Sequence, residues 1–205
     1  MALPDFETLL QGSAQEHGHL CAGQVIGVRM AMLGLKLIGL ENPRAGRDIK
    51  KLIVYVEIDR CATDAIAYVT GAKLGRRSLK FKDYGIMAAT FVNLETGRAV
   101  RIVSTEAARE AAHEYAPHLA TKEAQQLEAY KRMPLKVLFD VYEVAVELAA
   151  QDRPGPSAFK TPCARCGAMI RDGREIHAQG EALCHYCAGQ AYYRAPVRIS
   201  VEQDE

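Results

Sequence analysis

His17-Gly18-His19-Leu20-Cys21-Ala22-Gly23-Gln24-Val25-Ile26-Gly27 is the stretch on which the reading of this 205-residue chain turns. Two imidazoles and a thiol stand at positions i, i+2 and i+4, directly ahead of a long run of small and apolar residues. In an extended backbone that spacing puts all three side chains on one side, because side-chain direction alternates with period two. Imidazole nitrogen and thiolate sulfur are the ligands that zinc and similar borderline ions prefer. A helix beginning after Cys21 aims its positive N-terminal end at that sulfur and favours the thiolate. A lone His or Cys in such a place is most often inert, since free cysteine commonly packs as core. The alternating triplet, joined by a second cysteine downstream, reads instead as a metal site.

Working outward, Pro4 to Glu16 predicts a helix with Phe6, Leu9 and Leu10 on one face and Pro4 in its first turn. Cys21 to Leu40 predicts a helix that is apolar all round, with small residues at Gly23, Gly27, Ala31 and Gly34. Each glycine inside a helix costs about 1 kcal/mol against alanine. Two readings stand: close backbone approach to another element or subunit, or a plain buried helix within one subunit. Lys51 to Ile58 (KLIVYVEI) is rich in β-branched residues and predicts a buried strand, followed from Cys61 by a helix that Gly71 closes. Cys61 therefore falls at a strand-to-helix corner.

Ser78 to Asp83, Met87 to Leu94 and Arg98 to Ser104 read as antiparallel strands, the last two joined by a hairpin at Glu95-Thr96-Gly97. Thr105 caps a further helix, and Lys122 to Met133 predicts another that ends at Pro134. Val137 to Leu148 reads as a strand, while His113 and His118 read as surface residues. The expectation is an α+β core domain over residues 1–150, its antiparallel or mixed sheet flanked by helices.

Residues 151–161, with Pro154, Gly155 and Pro156, read as a linker. Residues 162–205 read as a separate module, in which Cys163, Cys166, Cys184 and Cys187 form C-x2-C-x17-C-x2-C. That spacing fits a tetrahedral four-thiolate zinc site, structural because no coordination position stays open. A module of this size has too small a core to fold alone, so the metal supplies folding energy. The second pair opens a helix-like run, Ala188 to Tyr193, and His177 and His185 read as solvated. From Lys160 to Arg198 six basic residues face three acidic ones, a local +3 that permits nucleic-acid contact without a base-reading helix to direct it.

Apolar residues make up 49% of the chain and the net charge is +1, so bulk electrostatics point to neither nucleic acid nor membrane. Met1 to Leu10 lacks the pattern of a signal peptide. Val25 to Leu40 is interrupted by Arg29 and Lys36 and is too short to span a bilayer. Six cysteines without secretory features point to a cytoplasmic chain whose thiols serve metal chemistry before disulfides.

HGHLCAGQVIGVRMAMLG, CATDAIAYVTGAKLGRRSLKFKDYG and MAATFVN together resemble the family named for the E-type subunit of formylmethanofuran dehydrogenase, over roughly residues 10–148. The CARCG and CHYC block is similar to the zinc-ribbon or treble-clef appendage of some members. The resemblance implies an α+β core, an intertwined homodimer and a core metal site formed by His17, His19, Cys21 and Cys61. Where many relatives carry Pro, Cys and Lys, this chain has Ala22, Ala72 and Ile86.

The functional expectation is a metal-binding accessory protein or small metalloenzyme of one-carbon or molybdoenzyme-related metabolism. Zinc would sit in both sites, with other subunits of a molybdenum or tungsten enzyme as partners. If only three of the four core ligands coordinate, the fourth position opens to water or substrate. Lys82, Asp83 and Tyr84 are then candidate pocket residues. The alternative is a transcriptional regulator or metal sensor that contacts nucleic acid or protein through the zinc module. A thiol-redox protein working through Cys21 and Cys61 is a third possibility, without a C-x-x-C pair of its own.

Overall fold

A computed structural model describes residues 2–157, 159–197 and 199; Arg198 and residues 200–205 of the predicted module lie outside the described residues. The chain divides into two compact units, Met1–Leu148 and Ala149–Glu205.

The first unit opens with α1 (Phe6–His17), whose N-cap is Asp5 rather than a proline-led first turn. The Asp5 carboxylate accepts from the Thr8 backbone N–H at 2.9 Å, satisfying one of the donors a helix start leaves free. Gly18, at φ 96°, closes α1 in the left-handed region. Four residues later α2 (Ala22–Ile38) begins, with Cys21 as its N-cap. Strand β1 (Leu52–Val56) leads into α3 (Cys61–Thr70), which Gly71 terminates, and then into β2 (Leu79–Phe81). The hairpin of β3 (Ala88–Asn93) and β4 (Ala99–Ser104) follows. After it come the short helices α4 (Glu106–Glu110) and α5 (Ala112–Tyr115), then α6 (Lys122–Arg132), α7 (Leu135–Leu138) and β5 (Phe139–Glu143).

The sheet is five-stranded and mixed, in the order β2-β1-β3-β4-β5. Only β1 and β2 run parallel, with Val54 opposite Leu79, whereas β3 to β5 pair antiparallel. The parallel pair corrects the all-antiparallel expectation for Ser78 to Asp83. Helix α3 carries the chain back before β2, and a helical crossover returns a strand in the same direction. The predicted strand from Val137 is shorter, since Leu135–Leu138 coil first and β5 ends at Glu143.

Helix α2 is the central column, with Val25, Val28, Met30, Ala31 and Leu35 essentially inaccessible to solvent. Its glycines serve packing within the unit. A methyl group on Gly27 would lie 2.6 Å from Ala65 Cβ and 2.9 Å from Ala62 Cα of α3. One on Gly34 would lie 2.6 Å from the Phe91 ring of β3. On the opposite face of the sheet, Ile53, Val92 and Ala99 pack with Val144, Val146 and Leu148. Among the described residues no helix is long and apolar enough to cross a membrane.

The second unit has two small antiparallel ribbons, β6 (Lys160–Pro162) with β7 (Met169–Arg171) and β8 (Ile176–Ala178) with β9 (Glu181–Leu183). The predicted helical run at Ala188–Tyr193 does not form. Residues 185–189 are a turn, and Gly189, at φ 74°, ends it.

Candidate metal centre

Four side chains from three segments meet where helices α1, α2 and α3 converge. His17 is the last residue of α1, His19 lies in the link, Cys21 caps α2 and Cys61 is the first residue of α3. One ligand atom from each lies within 4.8 Å of every other. The convergence does not come from an extended strand. A helix end, a left-handed glycine and the extended backbone of Cys21 (φ −144°) turn the three side chains together. Gly23 makes room for the fourth, since a methyl group there would stand 3.0 Å from Cys61 Cβ.

The His17 ring shows how the site is set up. Its Nδ1 lies 2.9 Å from Asp64 Oδ2, in the first turn of α3. Its Nε2 is buried and has no hydrogen-bond partner among the described residues. A carboxylate on one ring nitrogen with the other facing a ligand cluster is the arrangement that orients a metal-binding imidazole. Both sulfurs stand at helix N-termini, where the backbone dipole favours thiolate. Burial and the adjacent Cys21 thiol nevertheless push the Cys61 thiol up from 9.0. A divalent cation bound there would displace the proton of the Cys61 thiol.

Beneath the cluster, a buried polar chain ties the three helices together. Ser13 of α1 donates to the Gln24 Oε1 of α2, and Gln24 Nε2 donates to the Cys61 carbonyl at 2.7 Å. Gln24 is fully buried and Ser13 nearly so, so this chain fixes the backbone carrying one of the two sulfurs. Lys82, Asp83 and Tyr84 form an exposed continuation of β2, anchored by Lys82 N–H to the Val56 carbonyl and Tyr84 N–H to the Glu57 carbonyl. Glu57 itself is buried and gripped two-pronged by Arg101, at 2.7 and 2.6 Å.

In the second unit the sulfurs of Cys163, Cys166, Cys184 and Cys187 also lie within 4.8 Å of one another. Both C-x2-C turns are closed by backbone bonds, Gly167 N–H to the Cys163 carbonyl and Ala188 N–H to the Cys184 carbonyl. Backbone N–H groups of Cys184 and Cys166 pull the Cys163 thiol down to about 6. Burial, then hydrogen bonds from the neighbouring thiols, push Cys187 up to about 12. His177 and His185 are exposed and outside the cluster. Of the basic residues behind the local +3, Arg165 pairs with Glu181 and Arg174 with Asp152.

Asp64, Gln24 and Ser13 brace the cluster through contacts that spacing alone does not reveal. Asp64 and Gln24 each lie three positions beyond a ligand cysteine, one helical turn on, a signal visible only once the cysteine is placed at a helix start.

A solved structure from Syntrophus aciditrophicus, described as a tungsten formylmethanofuran dehydrogenase FmdE-like protein, superposes with a TM-score of 0.62 at 17% identity, covering 95% of this chain and 100% of that one. A curated relative from Archaeoglobus fulgidus, described as a probable S-adenosyl-L-methionine-binding protein, is 27% identical over 201 residues. That match takes in 90% of this chain, which spans about half (53%) of the relative's length. Residues 16–148, from the threshold of the His/Cys cluster to the end of the first unit, match the family model described as FmdE, molybdenum formylmethanofuran dehydrogenase operon. The chain belongs to the FmdE family.

Proposed function

We propose that this FmdE-like metal-binding chain is an accessory or small metalloprotein of one-carbon or molybdoenzyme-related metabolism, with zinc in both clusters. The observation that carries the core site is His17, whose Nδ1 is held by Asp64 while its buried Nε2 has no partner among the described residues. Such a nitrogen is costly unless it meets a cation or a donor. His19, the exposed ligand, is the one that substrate or a partner protein displaces, because the other three are partly buried. With all four groups on the ion the site would be closed; without His19 it would leave one position for Lewis-acid chemistry. The four-thiolate site is structural.

The family's operon and the tungsten-enzyme description of the solved relative support association with subunits of a molybdenum or tungsten enzyme; a cytoplasmic homodimer is part of the same proposal. A regulator that uses the tail on nucleic acid is less well supported, because two of its arginines are already neutralised by acids. Metal analysis of purified protein tests the reading. Wild type should carry about two equivalents, and Cys61→Ala and Cys163→Ala should each lose one. A single equivalent in wild type that survives Cys61→Ala would overturn the core site.

A further inference from the structure

Away from both clusters, a cavity of about 870 Å³ opens in the first unit between α1, α2 and the α6–α7 corner. Phe6, Met32, Leu33 and Leu135 give it apolar walls, while Arg29, Lys36 and Lys131 supply cations against one lining acid, Glu41. Lys131 is spoken for, since its ammonium lies 2.6 Å from Glu128. Lys36 is exposed and, among the described residues, without an ion pair.

Arg29 decides what the cavity fits. It is half-buried in the middle of α2, and its Nη1 donates to the Tyr130 and Met133 carbonyls at 2.6 Å each, capping the end of α6. A guanidinium carries five N–H donors, and two carbonyls on Nη1 account for two of them. Among the described residues Nε and Nη2 have no partner, and no carboxylate pairs with the charge. The Nε/Nη2 edge is the edge that takes a carboxylate two-pronged, as Arg101 of this same chain does with Glu57. A partly desolvated cation with that edge free, beside an apolar cavity within the usual volume range of ligand sites, matches a molecule with an anionic head and an apolar body.

We propose that this cavity is a binding site for an amphiphilic monocarboxylate, its carboxylate held on the free edge of Arg29 with Lys36 at the rim and its hydrocarbon part against Phe6, Met32, Leu33 and Leu135. Neither metal cluster takes part, so the site stands or falls independently of the zinc reading.

The test uses the full metal-loaded chain and a dansylated undecanoate probe kept below its micelle concentration. The chain has no tryptophan, so the probe's fluorescence is read without that background. Saturable binding of one probe per chain, displaced by dodecanoate at least about tenfold better than by dodecanol, is the expected result. Arg29→Gln should weaken the probe by about tenfold. Because that variant also uncaps α6, Lys36→Glu at an exposed position is run beside it and should weaken the probe without changing the melting temperature. Three outcomes overturn the proposal: no saturable binding in wild type, equal displacement by dodecanol or dodecyltrimethylammonium, or displacement by S-adenosylmethionine but not dodecanoate. A chain whose self-association blocks the probe counts against it equally, since a second copy would then be the occupant.

Discussion

At the level of single residues, His17 and Asp64 make the most pointed statement. The Asp64 carboxylate is largely exposed, so Asp64→Asn should leave the fold intact, yet it removes the negative charge beside Nδ1. Loss of such an outer partner typically costs about 10- to 100-fold in metal affinity, and competition with a chromophoric chelator would read it. Unchanged affinity would mean that the 2.9 Å contact is incidental to the metal. The His/Cys quartet was legible because donor type and spacing are written in the chain. The contact to Asp64 was not, because it exists only after the end of α1 is laid against the first turn of α3. A second residue-scale prediction concerns Asp5, whose carboxyl is held below 3.8 by the backbone N–H and hydroxyl of Thr8. A lowered folded value contributes stability above the unfolded value and loses it as pH falls through the folded one. The stability gap between wild type and Asp5→Ala should therefore be full at neutral pH and shrink below about pH 3.8, as urea titrations at several pH values would show.

Between elements, the crossing of α2 over α3 depends on the absence of a side chain at Gly27. Alanine would gain about 1 kcal/mol in helix propensity. Its methyl would meet Ala65 Cβ at 2.6 Å and Ala62 Cα at 2.9 Å, and helix backbone cannot step aside as a flexible side chain can. Overpacking of this kind costs roughly 1–3 kcal/mol, so the clash outweighs the propensity and Gly27→Ala should lower the melting temperature. Gly75→Ala is the matched control, for a methyl there meets nothing within 4 Å. The small-residue pattern of α2 was plain in the sequence, but its beneficiary was not. Spacing cannot tell a neighbouring helix from a second subunit, and here α3 and Phe91 occupy the room. The parallel β1–β2 pair was hidden for a related reason: a short edge strand carries too few residues to declare its direction.

For the molecule as a whole, the two units differ in what holds them. The first buries a contiguous core from Leu9 to Phe139, whereas the second buries only Cys163 and Leu183 among its described apolar residues. So small a core cannot meet the entropy of ordering the tail, and on the proposed reading a thiolate-bound ion supplies the difference. Chelation should accordingly expose Ala149–Glu205 to protease while Met1–Leu148 stays resistant, as mass analysis of timed digests would reveal. Uniform resistance after chelation would show that the tail folds without metal. The Ser13–Gln24–Cys61 chain has a bearing on how the first unit comes together. An amide that serves two partners on two other helices is satisfied only when both are present. Docking any two of the three leaves a group of this chain without its partner: the Gln24 amide N–H, the Gln24 Oε1, or the Ser13 hydroxyl with the Cys61 carbonyl. The His/Cys corner is therefore favoured when the three helices pack jointly.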